Sequence, residues 1–260
     1  MDIRALAFDV NGTLIDILTD ESMEEIYRSL RHFLALQGID LPRGQLRYLY
    51  FSLMKAQQTA SPETYPEFDA VEIWRTILTE HGSDYTRALP DAALQQMPLF
   101  LAQMFRSISR KRLALYPYVQ ETLDRLRSRF PMALVTDAQS AYARGELHKV
   151  GVLNYFSPIV ISGDYGYRKP DARLFQKALD ALGIPAEQTL FIGNDMFRDI
   201  YGAQQAGMKT LLYNSPQGDK VYPGVVPDFT ITDYRELPAL LGLSSEGYVP
   251  TTRMVDEVGS

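Results

Sequence analysis

The sequence predicts an α/β fold: a Rossmann-like parallel sheet core carrying an inserted block of α-helices. Three observations predict it. The chain has 260 residues and an apolar fraction of 46%, which is ordinary for a globular protein and enough for a substantial core. Beyond about residue 115, short apolar runs alternate with segments of helical period, the pattern of parallel crossover units. The chain also opens on an apolar strand, "IRALAF", which stops at Asp9 and has no partner nearby in sequence.

The elements follow in order. After the first strand the chain reads as helical to about Leu115. "TDESMEEIYRSLRHFLALQGI" opens on a Thr/Asp cap and an acidic first turn, spaces Met23, Ile26, Leu30, Phe33 and Leu34 helically, and stops at Gly38. "PRGQLRYLYFSLMKAQQ", "FDAVEIWRTILTEHG" and "PDAALQQMPLFLAQMFRSIS" are further helices, punctuated by Pro62, Pro66, Gly82 and Pro90. The basic stretch "RSISRKRLALYP" from Arg106 reads as a helix end, where the dipole favours cations. Then come the helix "YVQETLDRLRSRF", the strand "MALVTD", the helix "AYARGELHKVGV", the strand "PIVISGD", the helix "DARLFQKALDALGI", the strand "TLFIGND", the helix "IYGAQQAGM" and the strand "KTLLYN". "DFTITDYRELPALLG" adds a strand and a closing helix. The first strand needs the later sheet, so the helical block is an insertion. Residues 1–16 and 115–243 are assigned to the core, 17–114 to a helical cap, and 244–260 to an aperiodic tail.

Composition excludes several classes of function. A net charge of −6 gives no general nucleic-acid surface. The absence of cysteine removes disulfides, thiolate metal sites and cysteine nucleophiles. His32, His81 and His148 show no metal-ligand spacing. No basic-then-apolar leader is visible, and no run approaches the ~18 apolar residues of a membrane span. The expectation is a cytoplasmic protein, a monomer or homodimer, with no membrane or nucleic-acid partner.

Ligands of open parallel sheets bind at the carboxyl ends of the strands. The first strand delivers Asp9, followed by Asn11, Gly12 and Thr13 in "FDVNGTLID". "ALVTDA" delivers Thr136 and Asp137, and "LFIGNDMFRD" delivers Asn194 and Asp195, with Asp199 a helical turn later. Lys169 lies in the helix entry "GYRKPDARLF". Asp9 can attack phosphorus and form an aspartyl phosphate. Carboxylate and phosphate meet only when cations neutralise them, a task for Mg²⁺ on oxygen ligands and for the Lys169 ammonium. Gly12 would let backbone N–H groups approach phosphate oxygens, with the Thr13 and Thr136 hydroxyls as further donors.

"FDVNGTLID", "LVTD", "RKPDARLF" and "FIGNDMFRDIYGAQQAGM" resemble, in order, the four motifs of the haloacid dehalogenase-like hydrolase superfamily. The resemblance spans nearly all of the chain but the tail. It implies a Rossmann-like core with a helical cap between the first two motifs, and Mg²⁺-dependent phosphohydrolysis of a small phosphorylated molecule. It implies Asp9 as nucleophile, Thr136 and Lys169 as phosphate ligands, and Mg²⁺ on Asp9, the backbone carbonyl of Asn11 and an acid of the fourth motif. Gly12, Thr13 and Asp137 are further candidate substrate contacts.

Two positions depart from the pattern. Asn11 stands where the family's phosphatases carry a general acid–base, and an amide donates a hydrogen bond but cannot shuttle a proton. That loss typically removes ~10²–10⁴-fold in rate. In the fourth motif Asn194 takes the place of the first acid, which leaves Asn194, Asp195 and Asp199 as candidate ligands. A metal-independent 2-haloacid dehalogenase is the alternative, with Arg28, Arg31 or Arg43 binding halide and carboxylate. A phosphonate-cleaving relative would need a cap lysine, Lys55. A catalytically impaired member that binds a ligand or partner is the non-enzyme alternative. Tyr65, Phe68 and Trp74 are candidates for the entrance.

Overall fold

A computed structural model describes residues 2–243. Strand β1 (Ala5–Phe8) is followed by β2 (Ile15–Thr19) and by five helices, α1 (Glu24–Leu36), α2 (Arg43–Ala60), α3 (Ala70–His81), α4 (Asp84–Arg87) and α5 (Asp91–Ser109). Strand β3 (Arg110–Leu115) returns to the core, where α6 (Val119–Leu126), β4 (Met132–Thr136), α7 (Ala143–Lys149), β5 (Ile159–Ile161), α8 (Ala172–Leu182) and β6 (Thr189–Gly193) follow. A π-helical turn (Met196–Tyr201) leads into α9 (Gly202–Gln205), then β7 (Lys209–Tyr213), β8 (Phe229–Ile231) and α10 (Glu236–Leu240).

The six-stranded sheet has the order β5-β4-β1-β6-β7-β8, and every pairing is parallel. Strand order therefore reverses beside β1, which opens a crevice at its carboxyl end. Alternate residues face opposite sides of a strand, and here both sides are buried. Leu6, Phe8, Leu134, Leu190 and Ile192 pack with Val119, Leu123 and Leu126 of α6. Ala7, Ala133, Val135 and Phe191 pack with Leu174, Phe175 and Ala178 of α8. The uninterrupted apolar runs of β1, β4 and β6 are the sequence form of that double burial.

The five helices between β2 and β3 enclose a separate apolar cluster built on Ile26, Leu30, Ile73, Trp74, Ile77, Leu101 and Phe105. Tyr50 stacks on Phe105 with ring centroids 4.3 Å apart. Asp69 caps α3 by accepting from the N–H groups of Val71 and Glu72.

The helical unit meets the core through several polar contacts. Glu146 on α7 accepts from Arg106 at 2.8 and 3.1 Å and from Arg110 at 3.2 Å. Gln139 accepts from the Ala70 N–H and donates to the Phe68 carbonyl. Pro66 forms an antiparallel bridge with Tyr167. That bridge is flanked by Glu67 N–H to Gly166 O and Arg168 N–H to Tyr65 O, both 2.9 Å.

Several local expectations are corrected. Arg110–Leu115 is a strand rather than a helix end. It pairs antiparallel with β2, where Lys111 meets Asp20 and Arg112 meets Asp16 across the ribbon. The first helix begins at Glu24, not on a Thr/Asp cap, because Asp20 is used in a turn that accepts from the Ser22 N–H. The expected helix "IYGAQQAGM" starts earlier, as the π-helical turn, and only Gly202–Gln205 is α-helical. The tail assigned to 244–260 lies outside the described residues.

Candidate active site

The register of the sheet assembles the site. Phe8 lies opposite Leu134 of β4 and Ile192 of β6, and the Asp9 N–H donates to the Ile192 carbonyl at 2.9 Å. Asp9 thus stands at the reversal point, flanked by the ends of the strands that deliver Thr136 and Asn194. Lys169 enters from the loop before α8. Its Nζ lies 2.7 Å from Asp9 Oδ1 and 2.6 Å from Asp199 Oδ1. All three groups are buried. Burial alone would lower the Lys169 pKa, but the carboxylates of Asp199 and Asp9 outweigh it and hold the ammonium charged.

Asp199 is fixed from its other side. Its Oδ2 accepts from the backbone N–H groups of Asn194 and Asp195, each at 3.0 Å. Burial still raises its pKa, to about 6, against the opposing pull of Lys169. The Thr13 hydroxyl lies 2.8 Å from Asp9 Oδ2 and 3.1 Å from Asn194 Oδ1. One hydroxyl proton therefore faces two acceptor oxygens. Thr136 is 1% exposed, and its hydroxyl has no partner among the described residues. A buried polar atom left unpaired costs about 1–3 kcal/mol, and this one lies beside the Asp9 strand end.

Asn194 is held on several sides. Its Nδ2 donates to the Gln217 carbonyl at 2.7 Å, which turns Oδ1 toward Thr13 and Asp9. Gly12 (φ +85°) and Gly218 (φ +77°) press against the amide. An added Cβ would lie 2.4 Å from Nδ2 at Gly12 and 2.6 Å from it at Gly218. Both glycines are thus required twice over, by left-handed backbone and by close approach. The Lys220 ammonium donates to the carbonyls of Asn194 and Gln217 and ties the same loop down.

Of the sequence-predicted residues, the structure brings together Asp9, Thr13, Lys169, Asn194 and Asp199, with Thr136 on the neighbouring strand. It turns Asp195 away. Asp195 Oδ1 caps the π-helical turn through the N–H groups of Phe197 and Arg198, and Oδ2 meets Arg198 Nη2 and the Asp219 N–H. Those partners outweigh burial and lower the Asp195 pKa. The backbone donors of Gly12 and Thr13 are also spent internally, on the carbonyls of Ile15 and Val10, so Gly12 serves close packing rather than presenting its own N–H. The Asn11 amide makes no side-chain hydrogen bond among the described residues, and the residue is half-buried. Asp137 Oδ1 accepts from the Lys169 N–H at 3.0 Å, while Oδ2 has no partner among the described residues. Burial raises the Asp137 pKa against the pull of Lys169.

Gln217, Lys220 and Arg198 carry no sequence signal strong enough to single them out. The first two lie in a loop after β7 whose role depends on folding back over Asn194. Arg198 sits inside the fourth motif, three residues after Asp195, and that spacing is the one available hint. Arg28, Arg31 and Arg43 form ion pairs with Glu25, Asp40 and Glu24 on the exposed surface of the helical unit. Lys55 lies on a face of α2 with Arg47, Tyr48 and Phe51. Phe68 packs against the apolar cluster that buries Trp74, and the Tyr65 ring meets Phe197 edge-on at 5.9 Å.

A doubly wound sheet with an aspartate at its reversal point, met by a lysine from the third crossover, defines a Rossmann-like hydrolase core. The model of the haloacid dehalogenase-like hydrolases matches residues 3–207, and the chain belongs to that family. It is 27% identical over 259 aligned residues to the glyceraldehyde 3-phosphate phosphatase of Methanopyrus kandleri, covering 90% of this chain and 95% of that protein. It is 33% identical over 129 residues to the phosphoserine phosphatase of Thermus thermophilus, covering 49% of this chain and 51% of that one. Among solved structures it shares its fold with the 2-haloacid dehalogenase of Pseudomonas syringae, with a TM-score of 0.67, 24% identity and coverage of 92% and 98%. It is also similar to the HAD-hydrolase YfnB of Bacillus subtilis, solved with magnesium, with a TM-score of 0.54, 25% identity and coverage of 93% and 99%. No helix among the described residues is long and apolar enough to cross a membrane.

Proposed function

We propose that this hydrolase is a phosphatase of small phosphorylated molecules, working through an aspartyl phosphate on Asp9, with residues 17–114 as its cap. The observation that carries the reading is the pairing of Asp9 with a charged, buried Lys169 beside the orphaned Thr136 hydroxyl. A bound phosphoryl group would give that hydroxyl an acceptor and the ammonium a third anionic partner. The phosphatase relatives support the same class of reaction.

The chemistry of the donor set suits Mg²⁺. Asp9 Oδ2 and Asn194 Oδ1 share a single hydroxyl proton, so the pair retains lone pairs for a hard cation. Asp9, the Asn11 carbonyl and Asn194 Oδ1 would hold the ion. Asp195 is not among these ligands, because its two oxygens are occupied. When bound, Mg²⁺ supplies charge neutralisation between carboxylate and phosphate.

The chain's own residues do the rest. An Asp9 oxygen attacks phosphorus, the bond to the leaving oxygen breaks, and that oxygen departs with the electron pair. Lys169 and Thr136 hold the phosphoryl oxygens, and Asp199 keeps Lys169 in place. Asn11 can donate a hydrogen bond to the leaving oxygen but delivers no proton, which must come from solvent. Water then attacks phosphorus and the bond from the Asp9 oxygen to phosphorus breaks, which restores the carboxylate, while the water's proton leaves with the released phosphate or to solvent. Substrates with good leaving groups suffer least from this arrangement. The dehalogenase reading gains nothing from Arg28, Arg31 or Arg43, whose exposed partners engage them.

Hydrolysis of an aryl phosphate tests the proposal. Asp9→Ala abolishes turnover, and Asn11→Asp raises it toward alkyl phosphates by about 10²-fold or more. Turnover that survives Asp9→Ala, or chelator-insensitive activity on 2-chloropropionate, would sink it.

A further inference from the structure

We infer that Asn194 is a built-in neutral ligand, so that this site takes up Mg²⁺ effectively only together with a phosphoryl group. The inference rests on the phosphatase reading and concerns how the chain holds its ion.

The amide at position 194 is specified by its surroundings. Nδ2 must be a donor, because it faces the Gln217 carbonyl at 2.7 Å. A carboxylate there would set oxygen against oxygen. Movement away is blocked by Gly12 on one side and Gly218 on the other, where even an added methyl carbon would overlap Nδ2. The Lys220 ammonium holds the Gln217 carbonyl in place as well. The Gln217 carbonyl therefore selects an amide at position 194, and the two glycines hold it in place. It is not an acid lost from an otherwise unchanged site.

Asp199 is committed to Lys169 and to two backbone N–H groups. Asp195 is committed to its cap and to Arg198. Asp137 is turned to the Lys169 backbone, whose N–H it accepts. Among the described residues, Asp9 is then the carboxylate that meets Asn194 across the Thr13 hydroxyl, and it already shares its charge with Lys169. Among the same residues no group of three or more His, Asp or Glu side chains is arranged to hold a metal. Affinity for hard divalent cations rises with the charge of the ligand set. One shared carboxylate with two neutral oxygens is a weak set, and a phosphoryl group adds the missing anionic oxygens. Binding of ion and phosphoryl group is then cooperative, and linkage makes the effect equal in both directions.

The test uses the whole protein, with orthovanadate as the phosphoryl mimic and thermal melting and titration calorimetry as readouts. Millimolar Mg²⁺ alone is expected to leave the melting temperature unchanged. With vanadate present, the same Mg²⁺ raises it, and vanadate binds about tenfold or more tighter with Mg²⁺ than without. Asn194→Asp should give measurable Mg²⁺ binding without vanadate, while Asp195→Asn leaves the wild-type pattern unchanged. If Asn194→Asp fails to fold, the wild-type and Asp195→Asn measurements still decide the matter. Saturable submillimolar binding of Mg²⁺ alone to the wild type would overturn the inference while leaving the phosphatase reading intact. Vanadate that binds equally with and without Mg²⁺ would overturn it too. Vanadate that never binds would remove the phosphatase reading and this inference with it.

Discussion

At the carboxyl edge of the sheet, Asp9, Lys169, Asp195 and Asp199 are each 5% exposed or less. The interior of the helical unit is instead built from Ile, Leu, Trp, Tyr and Phe side chains. The first region keeps these charges dry by pairing them. The second owes its stability to apolar area and ring packing. A buried ion is stable only while its partner remains, whereas an apolar side chain leans on many neighbours and depends on no single one. The two regions should therefore fail in different ways when altered.

The largest effect is expected from removing Lys169. Lys169→Met leaves Asp9 and Asp199 buried without their shared cation. It should eliminate phosphatase turnover and lower stability by about 3–5 kcal/mol, read by urea unfolding. Adding Asp199→Asn to that variant should recover part of the stability and none of the turnover. If the double variant is no more stable than the single one, pairing is not what keeps this edge folded. In the other region, Trp74→Ala empties a fully buried ring site and should cost about 3–5 kcal/mol. Its effect on Lys169 chemistry should be indirect, so the pH–rate profile of the folded fraction should keep its shape.

Between the regions, Glu146→Ala strands Arg106 and Arg110 at the junction and should cost about 3 kcal/mol. Limited proteolysis would report whether the two parts then loosen together or separately. The smallest effect is expected at Asp228. Burial acts to raise its pKa, but the Thr210 N–H and hydroxyl, with Lys209, outweigh it and lower the value. A lowered native pKa gives stability that is present above the ordinary carboxyl value and is lost as pH falls through the native one. Asp228→Asn should therefore be about 1 kcal/mol less stable than wild type at pH 7. That gap should close as the pH drops below about 4, where the unfolded-state carboxyl takes up its proton.

Much of the core is legible in the sequence because its signals are local. "LAF", "MALV" and "LFIG" are apolar without interruption because both faces of the sheet are covered, and each run ends at a polar residue where the covering ends. Asp9, Thr136 and Asn194 can be singled out for that reason alone. The β2–β3 ribbon is not legible in the same way. Its pairing of Ile15 with Leu115 joins residues on either side of the whole helical unit, and the basic run in Arg110–Leu115 suits a helix end equally well. Direction is also hidden at Asn194 and Asp195. These neighbours sit where strand gives way to turn, and only three-dimensional caps reveal that one side chain faces Asp9 and the other faces its own helix. Lys220 and Gln217 carry no pattern that betrays contact with a residue more than twenty positions earlier.

The short bridge between Pro66 and Tyr167 ends at Arg168, the immediate neighbour of Lys169. Two backbone hydrogen bonds thus fasten the helical unit to the segment that carries the ammonium of the site. Any strain on that fastening is passed along two residues of backbone to the ammonium that meets Asp9 at 2.7 Å. A lesion in the Tyr65–Glu67 segment should therefore be felt at Lys169 as well as within the helical unit.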